Sequence, residues 1–154
     1  MTESIQDYFI DQLEISEGLC VAQNTPVSEV LEQMRQEKVS CVVVESKQEI
    51  SGIFTEHDVF CKIVGQDIDW QAPISDFSSR KPETLGSKNS LKEALALMGK
   101  HSFRHIPITD DSGSCIGVLS IQDVVAHIAQ HFPEEVLNLP PHVHQTYSKP
   151  EGGK

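Results

Sequence analysis

The chain has 154 residues, of which 38% are hydrophobic, and a formal net charge of −11 at pH 7. This length fits one compact domain or two half-size units that share a core. The acidic balance argues against binding of nucleic acid through its phosphates, although one or two local cations would suffice for a small anionic ligand. No apolar run approaches the roughly 20 residues that cross a bilayer, and the start lacks a signal peptide, so we expect a cytoplasmic protein with no membrane partner.

The first half begins with an N-terminal segment, residues 1–12, whose apolar residues predict a short helix packed on the body: Ile5, Tyr8 and Phe9. A helix follows, with Pro26 just inside its start, because apolar residues recur at the spacing of one helix face: Val27, Val30, Leu31 and Met34. The run CVVV then predicts a strand. GIFTEHD, Gly52–Asp58, predicts a second strand that runs into a helix.

The second half repeats this pattern. After a region of loop with one helical turn near Ile74–Phe77, the same helix face returns 64 residues later: Leu91, Ala94, Leu95 and Met98. The strand HIPI corresponds to CVVV, and GVLSIQD, Gly117–Asp123, follows GIFTEHD by 65 residues, with the extra residue in a polar turn. Beyond residue 132 the sequence is rich in proline, and we expect Glu134–Leu139 to pack in part and the rest to be mobile.

Each half therefore reads strand–helix–strand–strand–helix. A unit of about 60 residues buries too little surface to be stable alone. Two such units packed sheet to sheet would bury their apolar strands, including the VVV run, and we expect one shared core.

Two copies of helix–strand–loop–strand that end in G-h-h-[ST]-x-x-D, together with the strand FRHIPI, resemble a tandem pair of CBS domains, or Bateman module. The resemblance covers roughly residues 13–132. It implies an α+β fold of two tandem β-α-β-β-α repeats, packed sheet to sheet with pseudo-twofold symmetry. The corresponding boundaries are 1–12 for the N-terminal segment, 13–66 for the first repeat, 67–76 for a linker, 77–132 for the second repeat and 133–154 for the tail.

The resemblance also implies a function. Clefts between paired CBS repeats commonly bind AMP, ADP or ATP, with S-adenosylmethionine and NAD as further candidates, and the pairs often form homodimers. We therefore expect a regulatory, non-enzymatic module that senses an adenine nucleotide and acts on a dimer or an unidentified protein target. Exposed helix faces at 59–64 and 124–132 are the expected contact surfaces. The alternative is a ligand-free module for dimerisation or protein interaction.

The favoured nucleotide site contains a cation, a hydroxyl and an acid. Arg104 precedes the HIPI strand at a position that contacts phosphate in the family, and Asp123 matches the ribose-binding aspartate, whose carboxylate can accept from both ribose hydroxyls. The full set is Val39, Arg104, His105, Val118, Ser120 and Asp123.

The second cleft is expected to bind less well. Ser40 stands where the other half has Arg104, and Glu83 would repel a phosphate. Its residues are Ile53, Thr55, Asp58, Pro82, Glu83 and Phe103, and the stretch 82–84 matches a short strand of the family. In both clefts the hydroxyl and the aspartate can equally form a helix capping box, worth about 1 kcal/mol.

No catalytic constellation is present, and no resident metal is expected. The four cysteines form no C-x-x-C pair, and three adjoin apolar runs, which favours reduced, buried thiols. His127 and His131 are spaced as a metal pair on a helix, and His142 and His144 follow in the tail, yet surface histidines are the simpler interpretation.

Overall fold

The structure is a computed structural model, and it describes residues 7–131. The first repeat contains β1 (Leu19–Ala22), α1 (Val27–Glu37), β2 (Cys41–Ser46), β3 (Glu49–Thr55) and α2 (Glu56–Lys62). The short strand β4 (Ser79–Arg80) follows. The second repeat contains β5 (Leu85–Gly86), α3 (Leu91–His101), β6 (His105–Thr109), β7 (Cys115–Ser120) and α4 (Ile121–His131). The predicted element order of each half is confirmed.

The strands form one sheet in each repeat. In the first sheet the order is β1-β2-β3-β4, and in the second it is β5-β6-β7. The leading strand of each repeat pairs in parallel with the next, and the hairpin strands pair antiparallel.

The repeat extends to irregular details of the backbone. Each hairpin has a bulge, after Val44 in one repeat and after Ile108 in the other. Each first helix ends at a non-glycine residue in the left-handed conformation, Lys38 with φ of 56° and Ser102 with φ of 58°. Both pairs of positions are separated by 64 residues, so the two halves share their local geometry as well as their pattern.

The VVV run shows how the core is divided. Successive side chains of a strand point to opposite faces. Val42 and Val44 accordingly pack inside the first repeat, whereas Val43 faces the second sheet and packs near Val118. The described residues therefore form one cluster in each repeat and a third cluster between the sheets. This differs from the single shared core that we expected, because both faces of β2 are buried.

The segments that lead into the two repeats are exchanged. Ser16, ahead of β1, pairs with Val118 on β7, and Ser79, ahead of β5, pairs with Ile53 on β3. Each pairing brings the backbone of the exchanged segment against the motif glycine of the opposite repeat. A Cβ added at Gly52 would lie 2.6 Å from the Ser79 carbonyl oxygen, and one at Gly117 would lie 2.8 Å from that of Ser16.

Several predicted details differ in the structure. Pro26 is the N-cap residue of α1 and not its first residue, because its backbone is extended, with ψ of 142°. The strand expected at 82–84 is β5, Leu85–Gly86, since only these residues pair with β6. The helical turn near residue 74 is confirmed as a 3₁₀ turn, Ile74–Asp76.

Within the described part of the N-terminal segment, residues Ile10–Gln12 form a 3₁₀ turn. Ile10 is fully buried in the core of the second repeat, so this segment packs on the body as expected. Predictions for Ile5, Glu134–Leu139, His142, His144 and the rest of the tail lie outside the described residues. Within 7–131, no helix is long and apolar enough to span a membrane.

Candidate functional site

A cavity of about 910 Å³ lies between the two repeats. This volume is within the range of small-molecule sites, about 300–1,000 Å³. Both repeats and the segment between them contribute to its wall, which consists of Ser40, Ile53, Thr55, Glu56, His57, Asp58, Ser79, Arg80, Lys81, Pro82, Glu83, His101, Ser102, Phe103, Arg104, His105, Ser120, Ile121 and Gln122.

The cavity combines residues that sequence analysis divided between two clefts. All six residues of the cleft expected to bind less well line it, together with Arg104, His105 and Ser120 of the favoured set. Of the other favoured residues, Val118 is buried between the sheets, and Val39 lines a shallower depression of about 560 Å³. Asp123 lines neither of these two spaces.

Thr55 and Asp58 form the capping box of α2. The Asp58 carboxylate accepts a hydrogen bond from the Thr55 backbone N–H at 3.0 Å and forms an ion pair with Lys62 at 2.9 Å. The hydroxyl of Ser79 donates to it at 3.4 Å. With these partners Asp58 is only 4% exposed, so most of its hydrogen-bonding capacity is already used.

Ser120 and Asp123 form the corresponding box at the start of α4. The Ser120 N–H donates to Oδ2 of Asp123 at 2.9 Å, and the Asp123 N–H donates to the Ser120 hydroxyl at 3.1 Å. No other hydrogen bond of the Asp123 carboxylate occurs within residues 7–131, and the side chain is half-buried. The capping interpretation thus holds for both motifs.

Three cations line the cavity: Arg80, Lys81 and Arg104. The ion pairs among residues 7–131 are Arg35–Glu32, Lys62–Asp58 and Lys88–Asp11, so none of the three has a carboxylate within salt-bridge distance in that part of the chain. Glu56 and Glu83 also line the wall. Because Lys62 neutralises Asp58, the fixed charges leave one positive charge in excess.

Arg80 and Lys81 are not predicted as site residues from the sequence. They lie in a stretch that reads as loop, and their approach to the cavity depends on the pairing of β4 with β3, where Arg80 lies opposite Gly52. The sequence did contain one signal for them: the corresponding positions of the other half carry no positive charge. Ser16 is followed by Glu17 and Gly18, at the positions that correspond to Arg80 and Lys81.

His105 lies at the junction of the repeats. Its Nε2 is 3.3 Å from the hydroxyl of Ser40, the residue 65 positions earlier in the chain. Burial lowers the pKa of His105, and the negative charges of Asp123 and Glu56 offset this in part. The neutral imidazole is therefore favoured, which allows a hydrogen bond with Ser40 in either direction.

An aromatic and apolar wall completes the cavity. The rings of Phe103 and His101 are stacked, with centroids 5.0 Å apart and planes inclined by 19°. Ile53 and Pro82 also line this space. The cavity thus offers cations, hydroxyls and a ring face to the same occupant.

A family model described as CBS domain matches residues 12–65 and 74–130. The chain belongs to the CBS domain family. The two matched regions correspond to the two structural repeats, and the resemblance deduced from the repeated motifs is confirmed.

Related proteins include one described as a CBS domain-containing protein. The CBS domain-containing protein YhcV of Bacillus subtilis is 26% identical over 107 residues, which cover 70% of this chain and 76% of YhcV. Other curated relatives are much longer, and the chain spans only 14% of one of them.

The solved structures that share the fold include two complexes with AMP. A CBS domain protein from Pyrobaculum aerophilum complexed with AMP is 20% identical with a TM-score of 0.69, over 79% of this chain and 98% of that one. CBSX2 in complex with AMP is 21% identical with a TM-score of 0.68, over 80% of this chain and 97% of that one. These likenesses confirm the tandem CBS architecture.

The cysteines are less buried than expected. In the CBS pair only Cys41 is buried, Cys115 is half-buried, and Cys20 and Cys61 are exposed. The prediction of buried thiols holds for Cys41 alone, because β1 is at a sheet edge and Cys61 is on the outer face of α2.

The prediction of surface histidines holds for His131, which is exposed, and is wrong for His127. His127 is 6% exposed, its ring lies 4.3 Å from that of His131, and the ring of Tyr8 packs edge-on at 4.8 Å. Its burial follows from this contact with the N-terminal segment, which the helix pattern alone does not show. Residues 7–131 contain no group of three or more histidine, cysteine or acidic side chains arranged to hold a metal ion.

Proposed function

We propose that this CBS domain pair is a regulatory module that binds an adenine nucleotide in the cavity between its repeats. The observation that carries the proposal is the set Arg80, Lys81 and Arg104, three cations without salt-bridge partners within residues 7–131 that line one cavity. In a chain of net charge −11 such a concentration of positive charge calls for an anionic occupant.

The phosphates of the nucleotide would lie against these cations. The guanidinium groups of Arg80 and Arg104 can donate in pairs to phosphate oxygens, and Lys81 adds a point charge. The hydroxyls of Thr55 and Ser120 are available at the same wall as further donors. Glu56 and Glu83 lower the positive potential, so the nucleotide must be oriented with its phosphates away from them.

The base would lie against the apolar side of the cavity. Ile53 and Pro82 offer aliphatic surface, and the Phe103 ring offers a face on which a purine can stack. Two proteins of the same fold were solved with AMP, which supports an adenine nucleotide as the occupant. S-adenosylmethionine has no phosphate and fits the three cations less well, and NAD fits them through its diphosphate.

We further propose that this cavity is the principal site and that the cleft of Asp123 and Val118 is secondary. The exchanged segment that enters the first cleft carries Arg80 and Lys81, whereas the segment that enters the other carries Glu17 and Gly18. A Cβ at Gly18 would lie 2.9 Å from Cγ2 of Val118, so the backbone of that segment lies close against Val118.

Binding would be transmitted through α2 and α4, which start directly after Thr55 and Ser120. Large apolar residues are exposed on these helices, with Phe60 at 73% on α2 and Ile121 at 43% and Val125 at 60% on α4, and Val64, just beyond the end of α2, is 57% exposed. Covering these residues would bury apolar surface. We therefore propose that a homodimer, or a cytoplasmic protein target, contacts this face and senses the occupied site.

Calorimetric titration with AMP, ADP, ATP, NAD and S-adenosylmethionine tests the proposal, with the Arg104→Ala variant measured in parallel. We expect one adenine nucleotide to bind with a dissociation constant in the micromolar range, and Arg104→Ala to weaken it while the melting temperature of the free protein stays unchanged. Asp123→Asn separates the two clefts, because it should leave this binding intact. Absence of heat with all five ligands would remove the proposal.

The alternative, a ligand-free interaction module, is favoured by the state of Asp58. Its carboxylate is engaged by Thr55, Ser79 and Lys62 and is almost fully buried. In that case the motif serves only to cap α2. The same titration distinguishes the two functions, since a ligand-free module would still form its dimer or complex without any nucleotide.

A further inference from the structure

Two thiols from different repeats meet at the interface between the sheets. Cys20 lies on β1 and is paired with Val43, whose side chain faces the second sheet. Paired residues on neighbouring strands project from the same face of a sheet. Cys20 is therefore directed toward the second repeat, where Cys115 packs against the same cluster as Val43.

The exchanged N-terminal segment brings Cys20 to this position. From the antiparallel bridge between Ser16 and Val118, the chain continues alongside β7 toward the first residue of that strand, Cys115. The contact at Gly18 shows how closely the two backbones approach. Cys20 and Cys115 are neighbours across the two repeats, and their interaction raises the pKa of the Cys20 thiol and lowers that of the Cys115 thiol.

We propose that Cys20 and Cys115 form an oxidation site, at which hydrogen peroxide converts the two thiols into a disulfide that joins the first repeat to the second. The two residues are separated by most of the described chain, and the bond would fix the interface at the end of β7 opposite Ser120 and the cavity. This site is independent of the nucleotide proposal.

Cys115 is the group that attacks the peroxide. The neighbouring Cys20 thiol lowers the pKa of Cys115 to about 7, so a large fraction of Cys115 is thiolate at neutral pH. The thiolate sulfur takes one peroxide oxygen as the O–O bond breaks, giving a sulfenic acid, and the departing hydroxide becomes water with one proton. The Cys20 sulfur then displaces the sulfenic hydroxyl, which leaves as water with the Cys20 proton. Two thiols lose two electrons, and the peroxide gains two.

The other cysteines differ in ways that make the pair selective. Cys41 is near the same cluster, but it is buried, so peroxide reaches its thiol less readily than the exposed Cys20 or the half-buried Cys115. Cys61 is exposed on α2, where its Sγ lies 3.4 Å from Nε2 of His57, and no second cysteine adjoins it in the described chain. Cys61 therefore provides an internal control.

The test is peroxide treatment of the full chain, followed by alkylation, digestion and mass spectrometry without reduction. We expect two of the four thiols to be lost, a peptide linked through Cys20 and Cys115, and a rise in melting temperature of roughly 5–15 °C that reducing agent reverses. Cys61→Ser should behave like the parent protein. Cys20→Ser should leave a sulfenic acid at Cys115 that dimedone traps, with no rise in melting temperature.

Two results would overturn the proposal. One is recovery of Cys20 and Cys115 as free thiols after Cys61 has been oxidised. The other is a linkage through Cys41 or between two copies of Cys61, with no Cys20–Cys115 peptide. If Cys20→Ser proves unstable, the reversible rise in melting temperature of Cys61→Ser still decides the question, because that variant retains both proposed partners.

Discussion

Ser16 and Ser79 occupy equivalent positions in the two repeats, and each pairs with the strand residue that follows the motif glycine of the opposite repeat. The relationship makes the repeats structurally interdependent. It also decides which side chains enter each cleft, since Ser79 is followed by two cations and Ser16 by Glu17 and Gly18.

Removal of the cations that follow Ser79 should weaken nucleotide binding. We expect Arg80→Ala and Lys81→Ala each to raise the dissociation constant roughly tenfold, because each removes a charge-assisted contact to phosphate from a partly solvated site. Titration calorimetry at two salt concentrations measures this, and added salt should reduce the affinity of the parent protein. Lys88→Ala, which removes an exposed cation paired with Asp11, should bind like the parent. Equal affinities for all variants would contradict the placement of the phosphates.

The two motif glycines should resist substitution. Gly52→Ala and Gly117→Ala would each place a Cβ within 2.8 Å of a backbone carbonyl oxygen of the exchanged segment. We expect a loss of about 1–3 kcal/mol in the free energy of unfolding, measured by urea denaturation, because backbone on both sides must shift. The control is Gly99→Ala in α3, where a Cβ meets nothing within 4 Å and helix propensity should add about 0.5–1 kcal/mol. If both motif variants were as stable as the parent protein, the exchanged segments would not lie close enough to the two glycines to exclude a Cβ.

The exposed face of α2 should control self-association. Phe60 is 73% exposed, and a charge placed there would have to be buried in a dimer. We expect Phe60→Glu to sediment as a monomer at micromolar concentrations where the parent is a dimer, with little change in thermal stability. Ile116→Glu, a matched change at a 46% exposed apolar residue of β7, should remain dimeric. A monomeric parent protein would refute the dimer outright.

Stability should decline below about pH 6.5, the ordinary pKa of histidine. Burial lowers the folded-state pKa of His105, and burial together with the positive charge of His131 lowers that of His127. At pH values between the folded-state and unfolded-state pKa values, the histidines bind protons in the unfolded chain but not in the folded chain. The free energy of unfolding therefore falls as the pH decreases, until the pH reaches the lowered folded-state pKa values. Above about pH 6.5 this contribution is complete.

Urea denaturation between about pH 7.5 and 5.5 measures this decline. His105→Gln should make the dependence shallower while keeping a hydrogen-bonding partner for Ser40, and His127→Gln should remove the remainder. If the free energy of unfolding of the double variant fell with pH as steeply as that of the parent protein, groups other than these two histidines would be responsible.

The repeat and the order of its elements could be predicted because both are written in local periodicity, as the spacings of Val27 to Met34 and Leu91 to Met98 show. The capping boxes were also recognisable, since they depend on residues three positions apart. The assembly of the cavity was not, because it depends on the pairing of Arg80 with Gly52 across a loop. Arg104 is predictable as a site residue, yet its local sequence does not show that it lines one cavity with Thr55, which Asp123 does not line.

The exchange of segments at Ser16 and Ser79 also bears on how such a chain can be divided. If the chain were cut within residues 63–73, β3 of the N-terminal fragment would lose its partner strand β4. In the C-terminal fragment, β7 would lose its pairing with the backbone of Ser16. Each fragment would then carry an open sheet edge and an uncovered glycine, which favours aggregation over independent folding. Because the open edges of the two fragments are complementary, we expect the fragments to reassemble when they are mixed, without a covalent link between them.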